Sequence, residues 1–390
     1  MKKCYCGFPE TYETINIPKN NARCNFCFKQ TEKRKIDYSS RLKKLKIFLK
    51  KTRNKNMLYD CIVPFSGGKD STFQLYYVVT QLKLKPLVVQ FNHGFFRENL
   101  KNNNEKTFKK LGVDFISFTP NWKLVKKLMK VSFERKGDFC WHCHTGVSTL
   151  PLTLASKFNV DLIFYGEEPN EYSDFFKYGD FSSDLFKKGN NKLKNYHRVT
   201  TLGITAKDMQ YILKYENNSN YTERDFWPFR YPKDTAKNLL PVYLGSFINW
   251  DTKKQVEIIK KELDWRGDEV EGMPPKLYDY EKIECHMQGM RDYLKYLKRG
   301  YSRVTQMTAK DVKENRMSQN EARKIVSEYE GKVPHSLNIF LEYMDYTKEE
   351  FFEKIKNTVI KPWSPNFNSN DYSSKPKDFD KWFREEKSKN

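Results

Sequence analysis

The chain has 390 residues, of which 38% are hydrophobic and 15% aromatic, and a formal net charge of +22. This length allows two or three domains, and the apolar content excludes a disordered chain. The basic charge fits nucleic acid or anionic substrates. It is spread along the chain without an arginine-rich block, which favours a solvated basic surface suited to anionic substrates.

The sequence indicates a cytoplasmic protein with reduced cysteines. No run of about 18 apolar residues predicts a membrane span. The first residues, MKKCYCGFPETYE, lack the apolar core of a signal peptide. In a reducing compartment, close cysteine pairs are metal ligands or reactive thiols rather than disulfides.

Residues 1–30 contain four cysteines in two close pairs, Cys4, Cys6, Cys24 and Cys27. Four thiolates are a common ligand set of structural zinc, so we predict an N-terminal zinc knuckle. One residue separates the first pair, which leaves little room for two bonds to one ion in good geometry. Residues 31–56 show helical apolar spacing and are predicted to form a linker helix.

In residues 57–262, apolar runs alternate with helical stretches. Four runs predict strands: CIVPF, PLVVQF, DFISF and DLIFYG. A helix is predicted from Ser71, and PVYLGSFINWD is predicted as a returning strand before the helix TKKQVEIIKKEL. This alternation predicts an α/β fold with a parallel, doubly wound sheet. A polar, irregular stretch at about 170–240 is predicted to be a substrate-facing insertion.

A glycine-rich turn joins the first predicted strand to its helix and consists of Ser66, Gly67, Gly68, Lys69, Asp70 and Ser71. Glycines let the backbone approach a phosphate, and the helix N-terminus adds N–H donors. The spacing is neither that of a Walker A loop nor the dinucleotide GxGxxG. We predict that the loop binds ATP, with Lys69 neutralising a phosphate and Asp70 near Mg²⁺.

Other candidates lie where predicted strands end, at the edge where such sheets bind ligands. We assign Gln90, Phe91, Asn92, His93 and Gly94 to the adenosine pocket. Gly166, at the end of the fourth strand, is a further candidate for binding the cofactor. Glu167 and Glu168 follow the fourth strand, where a carboxylate could bind Mg²⁺, orient ammonia or accept a proton from an attacking amine. The alternative for both glutamates is a solvated loop position.

A second group of ligand-type residues occurs in DFCWHCHTG, where a metal site would use Cys140, Cys143 and His144. Cys285, from the helical region, could complete that site. The alternatives are buried cysteines beside a helix start, or a thiol that handles sulfur or substrate.

Residues 263–362 are predicted to be a helical C-terminal domain, and 363–390 a tail.

Taken in order, four features resemble the N-acetyl sugar amidotransferase family of PP-loop ATP pyrophosphatases. They are the knuckle with PETYETI and CNFC, the SGGKDS loop, CWHCHTG and GEEPNEY. With a later helical stretch, YLKYLKRGYSRVTQMTAKDV and beyond, the resemblance covers most of residues 1–355. The family's first cysteine pair usually reads CxxC, whereas here it is Cys4-Tyr5-Cys6.

The resemblance implies an adenine nucleotide alpha-hydrolase-like fold and chemistry at the α-phosphate of ATP, with Mg²⁺. Lys69, Asp70, Glu167 and Glu168 would then be catalytic. The substrate would be an acidic acetamido sugar or sugar nucleotide, of the pseudaminic acid, legionaminic acid or LPS O-antigen type. Adenylation of its acetamido group and displacement of AMP by ammonia would give an acetamidino sugar for bacterial surface polysaccharide or flagellin. Ammonia is expected from a separate glutaminase subunit.

Two alternatives remain open at this stage. A PP-loop enzyme that thiolates tRNA also combines cysteine knuckles with SGGxDS, and the basic charge favours it. Against it, Cys61, the remaining cysteine of the nucleotide domain, lies inside a predicted strand. A non-catalytic zinc-knuckle protein that binds nucleic acid is the second alternative.

Four basic residues are candidates for binding a substrate carboxylate or phosphate: Arg198, Arg224, Arg230 and Lys233.

Overall fold

A computed structural model describes residues 2–11, 15–52, 57–167, 201–232, 239–376 and 378–381. The chain divides into two compact units. The sheet unit comprises Ile36–Val131 and Cys140–Arg266, and the knuckle unit comprises Met1–Lys35, Ser132–Phe139 and Gly267–Asn390.

The sheet unit is built on five parallel strands. They are β1 Cys61–Pro64, β2 Pro86–Phe91, β3 Asp114–Phe118, β4 Leu162–Tyr165 and β5 Leu240–Tyr243. The order is β3-β2-β1-β4-β5, and every neighbouring pair is parallel. The chain thus moves outward from β1 in one direction and returns through β4 in the other. The point between β1 and β4 is the topological switch, where open α/β sheets form their ligand crevice.

The helices, in chain order, are α1 Asn25–Lys33, α2 Tyr38–Thr52, α3 Lys69–Thr80, α4 Glu98–Leu111, α5 Trp122–Lys136, α6 Trp141–Lys157, α7 Ala206–Tyr215, α8 Thr252–Leu263, α9 Gln288–Arg299, α10 Arg303–Lys313, α11 Gln319–Tyr329, α12 Ser336–Met344 and α13 Lys348–Lys356. Within the described ranges, no helix combines the length and apolar character needed to cross a membrane.

The side chains of successive residues in the central strands pack into two different hydrophobic cores, one on each face of the sheet. Ile62 of β1 faces a core that includes α5, α6 and α7, whereas its neighbours Cys61 and Val63 face a core that includes α2 and α3. Both faces of the sheet are therefore covered, which explains why the strands are continuous apolar runs rather than alternating ones. The predicted α/β fold with a parallel, doubly wound sheet is confirmed.

The knuckle unit joins the N-terminal cysteines to C-terminal helices. The four cysteines lie in one cluster with Tyr301, Ala309, Val312 and Ala322. The Arg34 guanidinium donates to the Lys313 carbonyl oxygen at 3.0 Å, which ties the segment after α1 to the end of α10. Ser318 and Thr347 begin α11 and α13 with capping boxes. The predicted helical C-terminal region is confirmed.

Some local features differ from the expectations. Between residues 31 and 56, α1 ends at Lys33 and α2 begins at Tyr38. The stretch after 363 makes backbone hydrogen bonds: Ser373 donates to Val333 at 3.0 Å, and Val333 to Asp371 at 2.8 Å. Only 201–232 and 239–240 of the predicted insertion are described, and they include α7. The proposed domain boundaries stay a prediction.

Candidate functional site

The glycine-rich loop lies between the carboxyl end of β1 and the first turn of α3. Gly68 has an extended backbone (φ −70°, ψ 171°) and forms the N-cap, so the helix begins at Lys69. Gly67 has φ +89°, a conformation that glycine adopts without strain. The loop therefore places the N-terminus of α3 at the edge of the sheet where β1 meets β4.

Three backbone N–H groups of this loop converge on two serine hydroxyls. The N–H groups of Ser66 and Gly67 donate to Ser71 Oγ at 3.2 and 3.0 Å, and that of Gly68 donates to Ser66 Oγ at 3.3 Å. The two hydroxyl oxygens lie 3.1 Å apart. A phosphate oxygen needs the same kind of converging donors, so this arrangement is suited to an anion.

Lys69 and Asp70 form an ion pair beside these donors. Lys69 Nζ lies 2.6 Å from Asp70 Oδ2, and the two side chains are 7% and 21% exposed. The other carboxylate oxygen, Asp70 Oδ1, is buried and has no hydrogen-bond partner among the described residues. A carboxylate oxygen in that state is a suitable ligand for Mg²⁺, a hard cation. The residues present therefore fit a nucleotide phosphate with its metal.

Residues that were not predicted from the sequence fix the backbone of this loop by hydrogen bonds. Trp265 Nε1 donates to the Gly67 carbonyl oxygen at 3.3 Å, and Thr72 Oγ1 donates to the same oxygen at 3.3 Å. Asn103 bonds the backbone of Arg266 in both directions, at 2.8 and 2.9 Å. The bonds to the Gly67 carbonyl oxygen fix the peptide between Gly67 and Gly68. The N–H of this peptide is the Gly68 group that donates to Ser66 Oγ. A run of three asparagines in α4 was the available signal, since asparagine is a poor helix former.

The predicted adenosine-pocket residues after β2 have local roles in the structure. The Phe91 ring is buried, and a side chain at Gly146 would collide with it at 2.4 Å. Asn92 uses its amide within the turn, donating to Thr119 Oγ1 and accepting from the Gly94 N–H, both at 3.0 Å. A contact of Phe91 or Asn92 with adenosine stays a prediction.

His93 is buried at the same edge as a neutral imidazole. Its Nδ1 accepts from the Phe95 N–H at 3.3 Å, which leaves the proton on Nε2. Burial, with a smaller contribution from His142, lowers the pKa of His93 from 6.5 to about 3. His93 therefore offers a hydrogen-bond donor rather than a positive charge at neutral pH.

The end of β4 brings the predicted glycine and glutamate to the switch point. Gln74 of α3 donates to the Phe164 carbonyl oxygen at 2.5 Å, which joins α3 to β4. A side chain on Gly166 would lie 3.1 Å from the Trp250 ring. Glu167 follows, half-buried, whereas Glu168 lies outside the described residues. The role of either glutamate stays a prediction.

The four N-terminal cysteines are brought together as a candidate metal centre. Their sulfur atoms all lie within 4.8 Å of one another. The separations are 3.4 Å for Cys4–Cys6, 3.6 Å for Cys4–Cys27, and 3.9 Å for Cys6–Cys24 and Cys24–Cys27. Zn–S bonds of about 2.3 Å in a tetrahedron place sulfurs about 3.8 Å apart. The four cysteines therefore fit zinc. Cys4 and Cys6 both belong to the cluster, although a single residue separates them in the sequence.

The second cysteine group begins α6. Cys140 is its N-cap residue, and Cys140 and Cys143 are half-buried. Cys285 belongs to the other unit, where its Sγ accepts from the Met287 N–H at 3.4 Å. Of the residues that the structure describes, the N-terminal cysteines form the group of three or more ligand types close enough for one ion. A second metal site with His144 stays a prediction.

The basic candidates for substrate binding are only partly described. Arg230 bonds Gln210 Oε1 at 2.5 Å and the Glu223 carboxylate at 3.1 Å. Arg224 is exposed, and Arg198 and Lys233 lie outside the described residues. Arg230 is thus engaged with its own surroundings, and a substrate role for any of the four stays a prediction.

The comparisons with known proteins give a match in the C-terminal region and a distant structural likeness. Among solved structures 62 chains match, including the U34-tRNA thiolase NcsA from Methanococcus maripaludis with its 4Fe-4S cluster. That structure has 13% identity and a TM-score of 0.33, with 84% of this chain and 87% of that chain covered. No curated protein matches the chain.

Residues 276–387 match the family model described as the C-terminal domain of WbpG-like LPS biosynthesis proteins. The matched stretch contains the helices against which the cysteine knuckle packs. This match supports the resemblance to the N-acetyl sugar amidotransferase family that the motifs indicate, and it assigns a WbpG-like domain to residues 276–387.

Proposed function

We propose that the protein is an ATP-dependent, AMP-forming amidotransferase that converts an acetamido group of an acidic sugar into an acetamidino group. The observation that carries this proposal is the SGGKDS loop at the switch point of the sheet, in a chain with a WbpG-like LPS biosynthesis domain. Its donors and its Lys69–Asp70 pair suit a bound triphosphate or pyrophosphate.

The reaction has two steps. The acetamido oxygen attacks the α-phosphorus of ATP, the bond to the β-phosphate oxygen breaks, and pyrophosphate leaves. Ammonia then adds to the activated carbon, the carbon–oxygen bond breaks, and AMP leaves with the oxygen that was in the acetamido group. Loss of a proton gives the amidine. The sum is acetamido sugar, ATP and ammonia to acetamidino sugar, AMP and pyrophosphate. The acetamido oxygen leaves in AMP, so water is neither consumed nor released, and the proton that is lost comes from the attacking ammonia.

The loop residues act on the leaving pyrophosphate. Charge-assisted hydrogen bonds from Lys69, with the hydroxyls of Ser66 and Ser71, would stabilise the charge that develops as the bond to the β-phosphate breaks. Asp70 Oδ1 would hold Mg²⁺, which neutralises phosphate charge when bound. Holding pyrophosphate at the helix N-terminus keeps the α-phosphorus at the edge of the sheet, open to the sugar.

Glu167 is the carboxylate that we propose for the second step. It follows β4, beside the strand that carries the phosphate loop. There it would orient ammonia or accept the proton that the attacking nitrogen loses. We propose that a separate glutaminase supplies the ammonia and that the basic surface favours an acidic sugar or sugar nucleotide. We place the reaction in the cytoplasm, because ATP is its substrate.

The proposal is tested by supplying each acceptor to the full-length protein with ATP, Mg²⁺ and an ammonium salt. We expect AMP and pyrophosphate with an acetamido sugar acid or a nucleotide-linked acetamido sugar, and a product with an imino group in place of an oxygen. Release of AMP that requires bulk tRNA, and not the sugar, would contradict the proposal and favour the thiolation alternative. Omission of ammonium is the control for simple ATP hydrolysis.

A further inference from the structure

The side chain of Asn104 lies against the phosphate loop. An ideal Cβ built on Gly67 would be 2.4 Å from Asn104 Oδ1 and 3.0 Å from its Nδ2. Leu100, one turn earlier in α4, lies beside it at 2.9 Å from the same point. The absence of a side chain at Gly67 therefore allows the Asn104 amide to reach the loop backbone itself.

The hydrogen bonds of this amide are incomplete among the described residues. Asn104 is 7% exposed, and its Oδ1 is buried with no partner in the described ranges. Because Oδ1 is the enclosed atom, Nδ2 is the atom of the amide that remains to donate to a ligand. A buried acceptor without a partner costs stability, and a leucine would fill the same space without that cost. An amide at this position is therefore explained by a partner for its donor other than the residues that the structure describes.

The surrounding contacts hold the amide in place. The neighbouring Asn103 grips the backbone of Arg266 through two hydrogen bonds, and Trp265 bonds the Gly67 carbonyl oxygen. α4 and the loop are thus fastened to the same short segment. A shift of α4 away from the loop would break these bonds, so the backbone at Asn104 is held near Gly67, which is the preorganisation that a binding residue needs.

We propose that Asn104 is a phosphate-binding residue, whose Nδ2 donates to the β- or γ-phosphate of ATP and then to the leaving pyrophosphate. This inference rests on the proposed ATP chemistry of the loop. A neutral amide suits the position because it donates to a phosphate oxygen without competing for the Lys69–Asp70 pair. A carboxylate of the same shape would instead repel the phosphate.

The test measures pyrophosphate, ATP and adenosine binding by calorimetry, using full-length protein. For Asn104→Ala we expect pyrophosphate and ATP to bind about ten- to hundredfold more weakly, as for loss of a hydrogen bond to a charged group. Asn104→Asp should lose more, and adenosine should bind as in the wild type. Asn102 is exposed on the same helix, so Asn102→Ala and Asn102→Asp are matched controls that should bind all three normally.

Each outcome decides the inference. Wild-type affinity for pyrophosphate in Asn104→Ala would overturn it, as would an equal loss of adenosine binding, which indicates a merely structural role. If Asn104→Ala does not fold, the nearly isosteric Asn104→Leu gives the same comparison. A wild-type protein that binds neither ATP nor pyrophosphate would overturn the proposed function together with this inference. Normal wild-type binding with unaffected variants would overturn the inference alone.

Discussion

The Lys69 ammonium lies 2.6 Å from the Asp70 carboxylate, and the two residues are consecutive in the first turn of α3. Neighbours in a helix point in different directions, so this pair forms only because both side chains bend toward the same space at the helix N-terminus. The pair leaves Asp70 Oδ1 buried, with no partner in the part of the chain that the structure describes. The contact thus orients a carboxylate oxygen for a ligand instead of satisfying it completely.

Asp70→Asn should reduce AMP formation by more than about a hundredfold, since it removes a charge that acts on the phosphates and their metal. The protein should still fold, because the change is isosteric. Initial rates with saturating ATP measure the effect. Asp161→Asn is the control: Asp161 is exposed at the amino end of β4, at the opposite edge of the same sheet. Turnover in Asp70→Asn equal to that of the control would contradict a role for Asp70.

Gly67→Ala should abolish detectable ATP binding. The methyl group would meet Asn104 Oδ1 at 2.4 Å in a backbone with φ +89°, so either the Asn104 side chain or the loop must shift. Gly112→Ala is a matched control, because Gly112 has φ +60° with no atom within 4 Å of the added carbon. It should lower the free energy of unfolding by about 1 kcal/mol and leave ATP affinity unchanged. Equal ATP affinity in the two variants would show that the loop geometry is not required.

Cys24→Ser should lose the bound zinc and destabilise the knuckle unit, because folding of such a site is coupled to metal binding. We expect about one equivalent of zinc in the wild type by elemental analysis. Cys61→Ala, which removes a buried thiol from β1, should retain the metal. Wild-type protein that contains no zinc and unfolds at the same temperature with and without a chelator would contradict the assignment.

Because His93 is buried in its neutral form, the free energy of unfolding should decrease in acid. The folded pKa of His93 is about 3, below the ordinary value of 6.5, so between these values the unfolded chain binds a proton that the folded protein does not. The free energy of unfolding should therefore fall as the pH decreases from 6.5 toward 3. In His93→Gln this slope should be smaller, as measured by urea titrations across that range. An identical slope in wild type and variant would show that His93 is protonated in the fold.

The sheet could be predicted from sequence because its strands are buried on both faces. Four of the five predicted runs contain a strand, and PLVVQF and DFISF match β2 and β3 in full. The fifth, PVYLGSFINWD, overlaps β5, which begins one residue earlier at Leu240. The start of α3 was predicted two residues late, at Ser71. Gly68 takes the cap position, so the helix begins at Lys69.

The candidate site could be predicted only in part. A contiguous motif such as SGGKDS is visible in one segment, whereas Trp265 contacts Gly67 from 198 residues away. Position at a strand end also does not give the direction of a side chain. Phe91 ends β2 as expected, yet its ring packs in the core.

The origin of the oxygen in AMP tests the central claim most directly. An acetamido sugar acid labelled with oxygen-18 in its acetamido group is incubated with the enzyme, ATP, Mg²⁺ and ammonium, and AMP is analysed by mass spectrometry. Transfer of AMP to the acetamido oxygen predicts that the label appears in AMP, with the amidine unlabelled. AMP without label, formed while the sugar keeps its oxygen, would contradict the proposed amidotransferase reaction.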